Sequence, residues 1–185
     1  MTLTDAAHQI AQASVATERS TSFPAEVIAG QAALESGWMR SVQGNNVFGW
    51  KVYPGCHGRQ LIQTTEWLDG FGVAQYQGQD GRKIVKFLGK VNGVRKLYAV
   101  MDWFAAFPSV AEAFRSHVAR LQALPRYQVA WKQFQADGDA HGLIRGIAKA
   151  GYSTAPDYAD KVIEIGWGVR LSGPIAAARA VRSEP

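Results

Sequence analysis

Three turn dipeptides, Asp69-Gly70, Asp80-Gly81 and Asn92-Gly93, fall at near-equal intervals among runs rich in Val, Ile, Phe and Tyr at 71–76, 83–88 and 94–101. Asp-Gly and Asn-Gly in such settings are the strongest short-range hairpin signals, because their residues accept the positive φ of a tight antiparallel connection. The spacing predicts a small antiparallel meander over about residues 60–104. On either side the apolar period becomes helical. Ala6, Ala7, Ile10, Ala13 and Ala16 form a small-residue stripe on a first helix, capped by Thr4 or Asp5 and ending near Ser20. Downstream, Ser109 and Glu112 have capping-box spacing, and Val110, Ala113, Phe114, His117, Val118 and Leu121 trace one face. Pro125 ends that helix. Tyr127, Ala130, Trp131 and Phe134 mark a short one, and Asp139 caps another bearing Leu143, Ile144, Ile147 and Ala148 that stops at Gly151. Thr154 and Pro156 open the last core helix, with Tyr158, Val162 and Ile165 inward, and Pro174 separates a terminal segment. The expected class is α+β, mainly helical, in one domain over 1–185: a helical lobe of about 4–58 and 105–172, a β-lobe of about 60–104, and a tail at 174–185.

Composition narrows the functional classes. Hydrophobic residues make up 47% of the 185 and charged residues 19%, enough apolar material for a real core. No apolar run approaches the roughly 20 residues that span a bilayer, so membrane insertion is not expected. Cys56, the only cysteine, cannot form an internal disulfide, and beside His57 it is too little for a metal site. Neither metal nor cofactor is expected. A net charge of +5 suits an anionic partner, but the basic residues are scattered and no nucleic-acid-binding fingerprint is present. The first eight residues lack the basic and apolar regions of a secretory signal.

The chemistry-bearing stretch is Gln31-Ala32-Ala33-Leu34-Glu35-Ser36-Gly37-Trp38. Ser22 is placed to cap the helix, Pro24 suits its first turn, and Gly37 suits its stop. Ile28, Gln31, Ala32 and Glu35 follow i, i+3, i+4, i+7 spacing and share one largely apolar face. Glu35 then lies in the last turn, where the negative end of the helix dipole and burial both disfavour a carboxylate. A carboxylic acid that keeps its proton near neutral pH is what cleavage of a glycosidic bond requires. The plain alternative is a helix-end Glu that faces water.

That stretch, with Asn46-Val47-Phe48-Gly49-Trp50-Lys51, resembles the signature of the flagellar-rod-type N-acetylglucosaminidases, glycoside hydrolase family 73. Thr64-Thr65-Glu66-Trp67-Leu68-Asp69-Gly70 and the run from Gly151 through Tyr152, Tyr158 and Lys161 add two more matches, in family order, over roughly residues 5–170. The resemblance implies a lysozyme-like helical lobe with a β-lobe, and a peptidoglycan hydrolase that cuts the β-1,4 bond between N-acetylglucosamine and N-acetylmuramic acid. It implies Glu35 as general acid, Glu66 as second carboxylate and Tyr152 as a hydroxyl near the acid; Asp69 and Asp102, also nearby, are alternatives to Glu66 on the residues alone. Tyr158 reads as core. Asn46, Phe48, Gly49, Trp50 and Lys51 would shape the substrate groove, with Trp50 open between sugar stacking and core packing.

A monomer acting on peptidoglycan glycan strands, with no nucleic-acid partner, is the expectation. Without a signal, such a chain would reach the wall by phage lysis or a dedicated secretion system. A muramidase or lytic transglycosylase of the lysozyme-like superfamily, and a non-catalytic wall-binding module, are the alternatives.

Overall fold

The computed structural model describes residues 1–76 and 80–181. They fall into two compact units, one of Met1–Phe48 with the chain from Pro108 onward, the other Gly49–Phe107.

The first unit is helical. It holds α1 (Leu3–Thr21), α2 (Ala25–Ser36), α4 (Val110–Ala123), a 3-10 turn (Pro125–Tyr127), α5 (Gln128–Asp137), α6 (Ala140–Lys149), α7 (Tyr158–Gly166) and α8 (Val169–Ala180). The expected helices form, with Ser109 and Gly37 at the expected ends, but several other caps differ. Thr2, not Thr4 or Asp5, caps α1, accepting from Asp5 N while the Asp5 carboxylate accepts from Thr2 N at 2.9 Å. Ser22 does not cap α2; it is the C-cap of α1, in the left-handed region at φ 60°, with its N–H donating to Glu18 O at 2.8 Å. The N-terminus of α2 is instead satisfied from α1, where Glu18 accepts from Ala25 N at 2.8 Å. Pro174 lies inside α8 and does not separate it from a tail. The C-terminal carbonyls of α8 are gathered by Arg19, which donates to the carbonyl oxygens of Ala178, Arg179 and Val181. Residues 182–185 of the expected tail lie outside the described ones.

α2 is the central element. Ala25, Val27 to Ala33 and Ser36 are buried, which leaves no polar face over most of its length. A helix apolar all round must be surrounded by others. Its approach to α7 is backbone to backbone: a Cβ on Gly30 would lie 2.4 Å from Val162 O, and one on Gly166 would lie 2.3 Å from Glu26 O. Only glycine permits that spacing.

The second unit holds β1 (Gly58–Leu68), α3 (Gly70–Gln75), β2 (Lys83–Asn92) and β3 (Arg95–Ala106), with strand order β1-β3-β2. The sheet is antiparallel but is not the expected meander. Residues 71–76 are not a strand; Asp69 accepts from Gly72 N at 2.8 Å and starts a short helix. The same Asp-Gly chemistry that serves a hairpin also serves an N-cap. The first strand lies earlier, over 58–68, and pairs with β3 throughout, with Glu66 opposite Tyr98 and Ile62 opposite Asp102. Asn92-Gly93 does turn a hairpin: Asn92 pairs with Arg95, and Gly93 takes φ 59°. β2, largely exposed and broken by two register shifts, makes a blunted edge.

Replacing Gly30 or Gly166 with Ala forces α2 and α7 apart, at about 1–3 kcal/mol each, which lowers the melting temperature by roughly 3–10 °C. Gly70→Ala, at the exposed first position of α3, where an added Cβ meets no non-neighbouring atom within 4 Å, is neutral or stabilising. Calorimetry on the three variants checks this; equal melting temperatures would refute the close-approach account.

Candidate active site

In the helical unit, Glu35 surfaces where α2 ends. The stop is tightly specified: Gly37, Trp38 and Met39 all take positive φ, at 56°, 60° and 65°. For Trp38 and Met39 that backbone costs on the order of 1 kcal/mol each. Local bonds hold it. Ser36 Oγ donates to Ala32 O and accepts from Met39 N at 2.8 Å, while Trp38 N donates to Ala33 O at 2.9 Å.

Tyr158, at the start of α7, donates its hydroxyl to Glu35 Oε1 at 2.9 Å and accepts from Gln31 Nε2 at 3.0 Å. Gln31 Oε1 in turn meets His117 Nε2 at 3.1 Å. Tyr152 stacks obliquely on Tyr158, ring centroids 5.3 Å apart, and meets His117 edge-on at 6.1 Å. Although Glu35 is exposed on one side, protein crowds its carboxyl on the others. This partial burial raises its pKa, against the opposing pull of the Tyr158 hydrogen bond. Burial, followed by the proximity of Glu35, pushes the Tyr152 hydroxyl well above its ordinary value. Neither phenol is a base at neutral pH. Fully buried His117 is depressed to about 3, first by burial and then by Arg120, so it is neutral. It stacks on Phe48 at 3.7 Å between centroids.

In the sheet unit, residues 50–52 extend the sheet along β3. Ala105 N donates to Trp50 O at 2.9 Å and Val52 N to Trp103 O at 3.2 Å. This places Lys51 Nζ 2.8 Å from Glu66 Oε1 and 2.7 Å from Asp102 Oδ2. Asp102 is nearly closed off; it also accepts from Tyr76 at 2.7 Å and from Trp103 N at 2.8 Å. Burial works to raise the Asp102 carboxyl, but the bonds from Lys51 and Tyr76 outweigh it and hold the pKa below the ordinary value. Burial and that same carboxylate push the Tyr76 hydroxyl up to about 12.

A model of the glucosaminidase family, described as mannosyl-glycoprotein endo-beta-N-acetylglucosaminidase, matches residues 11–169. The chain belongs to this family, glycoside hydrolase family 73. The peptidoglycan hydrolase FlgJ of Vibrio parahaemolyticus is 30% identical over 142 residues, which cover 73% of this chain and 37% of that protein. The chain spans little more than a third of the length of the curated relatives it matches. The glycoside hydrolase domain of Salmonella typhimurium FlgJ superposes with a TM-score of 0.61 at 22% identity, covering 97% of this chain and 95% of that one. The catalytic domain of the Listeria monocytogenes autolysin Auto gives 0.61 at 19%, covering 97% and 86%. At these identities the likeness is one of fold, and it agrees with the α+β, mainly helical class.

The structure places the sequence-predicted residues in two groups. Glu35 and Tyr152 belong to the helical unit, with buried Asn46 and Phe48; Phe48 packs against Phe114 and His117 as core. Gly49, Trp50, Lys51 and Glu66 belong to the sheet unit, where half-buried Trp50 meets Tyr53 edge-on at 6.5 Å. Of the alternatives to Glu66, Asp69 is engaged as a cap and Asp102 is enclosed. Tyr158, expected as core, is buried, but its hydroxyl is the group that donates to Glu35. Helical periodicity reports which way a ring points and not what its terminal oxygen meets. Among the described residues no group of three or more His, Cys, Asp or Glu is arranged to hold a metal, and no helix is long and apolar enough to cross a membrane.

Glu35 and Asp102 shift in opposite directions, so their linkage to stability has opposite sign. A raised folded pKa means that the Glu35 contribution is present below 4.5 and is lost as pH rises through the folded value. A lowered one means that the Asp102 contribution is present above 3.8 and is lost as pH falls through the folded value. Glu35→Gln is therefore expected to melt no lower than the parent at pH 7. Asp102→Asn is expected to lose stability at pH 7 and to flatten the acid limb below about pH 4. Thermal melts from pH 3 to 8 check both signs.

Proposed function

We propose that this member of the glucosaminidase family is a peptidoglycan hydrolase that cleaves the β-1,4 bond between N-acetylglucosamine and N-acetylmuramic acid, with Glu35 as general acid. The observation that carries the reading is a carboxyl group at the end of a buried helix, raised in pKa and hydrogen-bonded on one oxygen by a phenol. Such a group holds its proton into the pH range where an ordinary carboxyl has lost it, while its exposed side leaves it within reach of a ligand. The proton passes from Glu35 to the bridging oxygen as the bond from C1 to that oxygen breaks. Water then adds to C1 as its proton passes to a carboxylate, and exchange with solvent leaves Glu35 protonated for the next cycle.

Glu66 is assigned as the second carboxylate. Its place in Thr64-Thr65-Glu66 resembles the family pattern, and its side chain, more open than that of Asp102, is anchored on Lys51. Peptidoglycan as substrate is supported by the family and by the curated relatives, which are peptidoglycan hydrolases by name. Asn46, Gly49, Trp50 and Lys51 are proposed to bind the glycan, with Phe48 acting through its packing. Tyr152 is proposed to position the acid or the acetamido group. Action on the cell wall, as a monomer, completes the reading.

Glu35→Gln is expected to fold normally and lose about 10²–10⁴-fold in activity, with Glu66→Gln also severely impaired. Purified sacculi and mass spectrometry of reduced muropeptides test this. N-acetylglucosamine at the new reducing end is the expected product, and reduced N-acetylmuramic acid there would assign a muramidase instead. Full activity of Glu35→Gln would remove it as the acid.

A further inference from the structure

We infer that His117 and Gln31 are positioning residues for the acid: with Tyr158 they form a hydrogen-bond relay, each donor pointing toward Glu35, that sets how readily Glu35 keeps its proton. The inference deepens the reading of Glu35 as general acid and rests on it for its catalytic meaning. The geometry stands independently.

The direction of the relay follows from donor and acceptor counting. Gln31 Nε2 donates to the Tyr158 oxygen, so Gln31 Oε1 is the atom that faces His117. An amide oxygen cannot donate. The proton of that contact therefore sits on His117 Nε2. Tyr158, already accepting from Gln31, directs its own O–H at Glu35 Oε1. Three donors thus run in series over three helices, α4, α2 and α7. Bonds in such a chain polarise one another, so the last O–H is a stronger donor than an isolated phenol would be. Its effect is to favour the carboxylate and limit the upward shift that burial imposes.

The ionisable groups facing the relay are few. Tyr152 lies against His117 and Tyr158, Arg120 acts on His117 from α4, and Arg126 acts on Tyr152. Phe48 holds the imidazole plane by stacking within 1° of parallel. A histidine this deeply enclosed and neutral contributes direction, not charge. Neither His117 nor Gln31 is within hydrogen-bonding reach of the Glu35 carboxyl through its own described bond; each acts through Tyr158.

The test is an NMR titration of the Glu35 side-chain carboxyl, which reads its proton whether or not the protein is active. Tyr158→Phe is expected to raise its pKa by about one unit. The paired substitution Gln31→Met with His117→Phe removes both partners of the inner bond together; it is expected to raise the pKa by about 0.2–0.5 unit. In a Tyr158→Phe background the same pair is expected to add nothing, because the relay reaches Glu35 only through that hydroxyl. An equal shift in both backgrounds, or none beyond about 0.1 unit in either, overturns the relay. Nitrogen shifts of His117 in the unaltered protein give a second reading that needs no variant: a proton on Nε2 is expected, and one on Nδ1 alone refutes the inference. In active variants the alkaline limb of the pH–rate profile should move upward with the pKa. If Glu35→Gln retains activity, the assignment of the acid falls while the measured coupling remains, so the two failures are distinct.

Discussion

The backbone contact between α2 and α7 governs the helical unit. Two helices that meet through Gly30 and Gly166, each against a carbonyl of the other, have little freedom to slide, because any side chain at either glycine would overlap backbone. This fixes where the first turn of α7 lies along α2. Tyr158 stands in that first turn and Gln31 and Glu35 in the last two turns of α2, so the distances of 2.9 and 3.0 Å between them follow from the packing. The glycines carry no chemistry themselves. They set the spacing on which it depends.

A buried helix has no exposed face from which to present a polar group, so its accessible carboxyl appears where the helix stops. Gly37 and the two strained residues after it end α2 abruptly, and Glu35 emerges one residue before the last. The negative end of the dipole and partial burial both favour the protonated form, while one phenol opposes them. The sheet unit shows the reverse arrangement. There Asp102 is surrounded by donors, and a single ammonium holds it beside Glu66. Groups of one chemical type are thereby given opposite tendencies, Glu35 toward its neutral form and Asp102 toward its charged form.

Most of the helices were legible because their apolar residues recur with helical period and their ends carry ordinary signals; the Ser109 cap, the Gly37 stop and the buried stripe of α4 are instances. The errors share one cause. Ser22 looked like a cap, but Glu18 from the neighbouring helix took that role. Asp69-Gly70 looked like a hairpin turn, but the chain there enters a helix, and the strand that pairs with β3 lies upstream of that dipeptide, over 58–68. Turn and cap residues are shared between several local structures, and long-range pairing decides among them.

Glu35 at the end of its helix, Glu66 beside the sheet segment, and the family itself were available from residue order alone, since period, stop signal and motif spacing are local properties of a chain. The hydroxyl that reaches the acid, the histidine behind it and the lysine that joins Glu66 to Asp102 were decided only in three dimensions. Each of those contacts joins positions distant in sequence, and their geometry depends on how closely two backbones approach, a quantity with no counterpart in residue order.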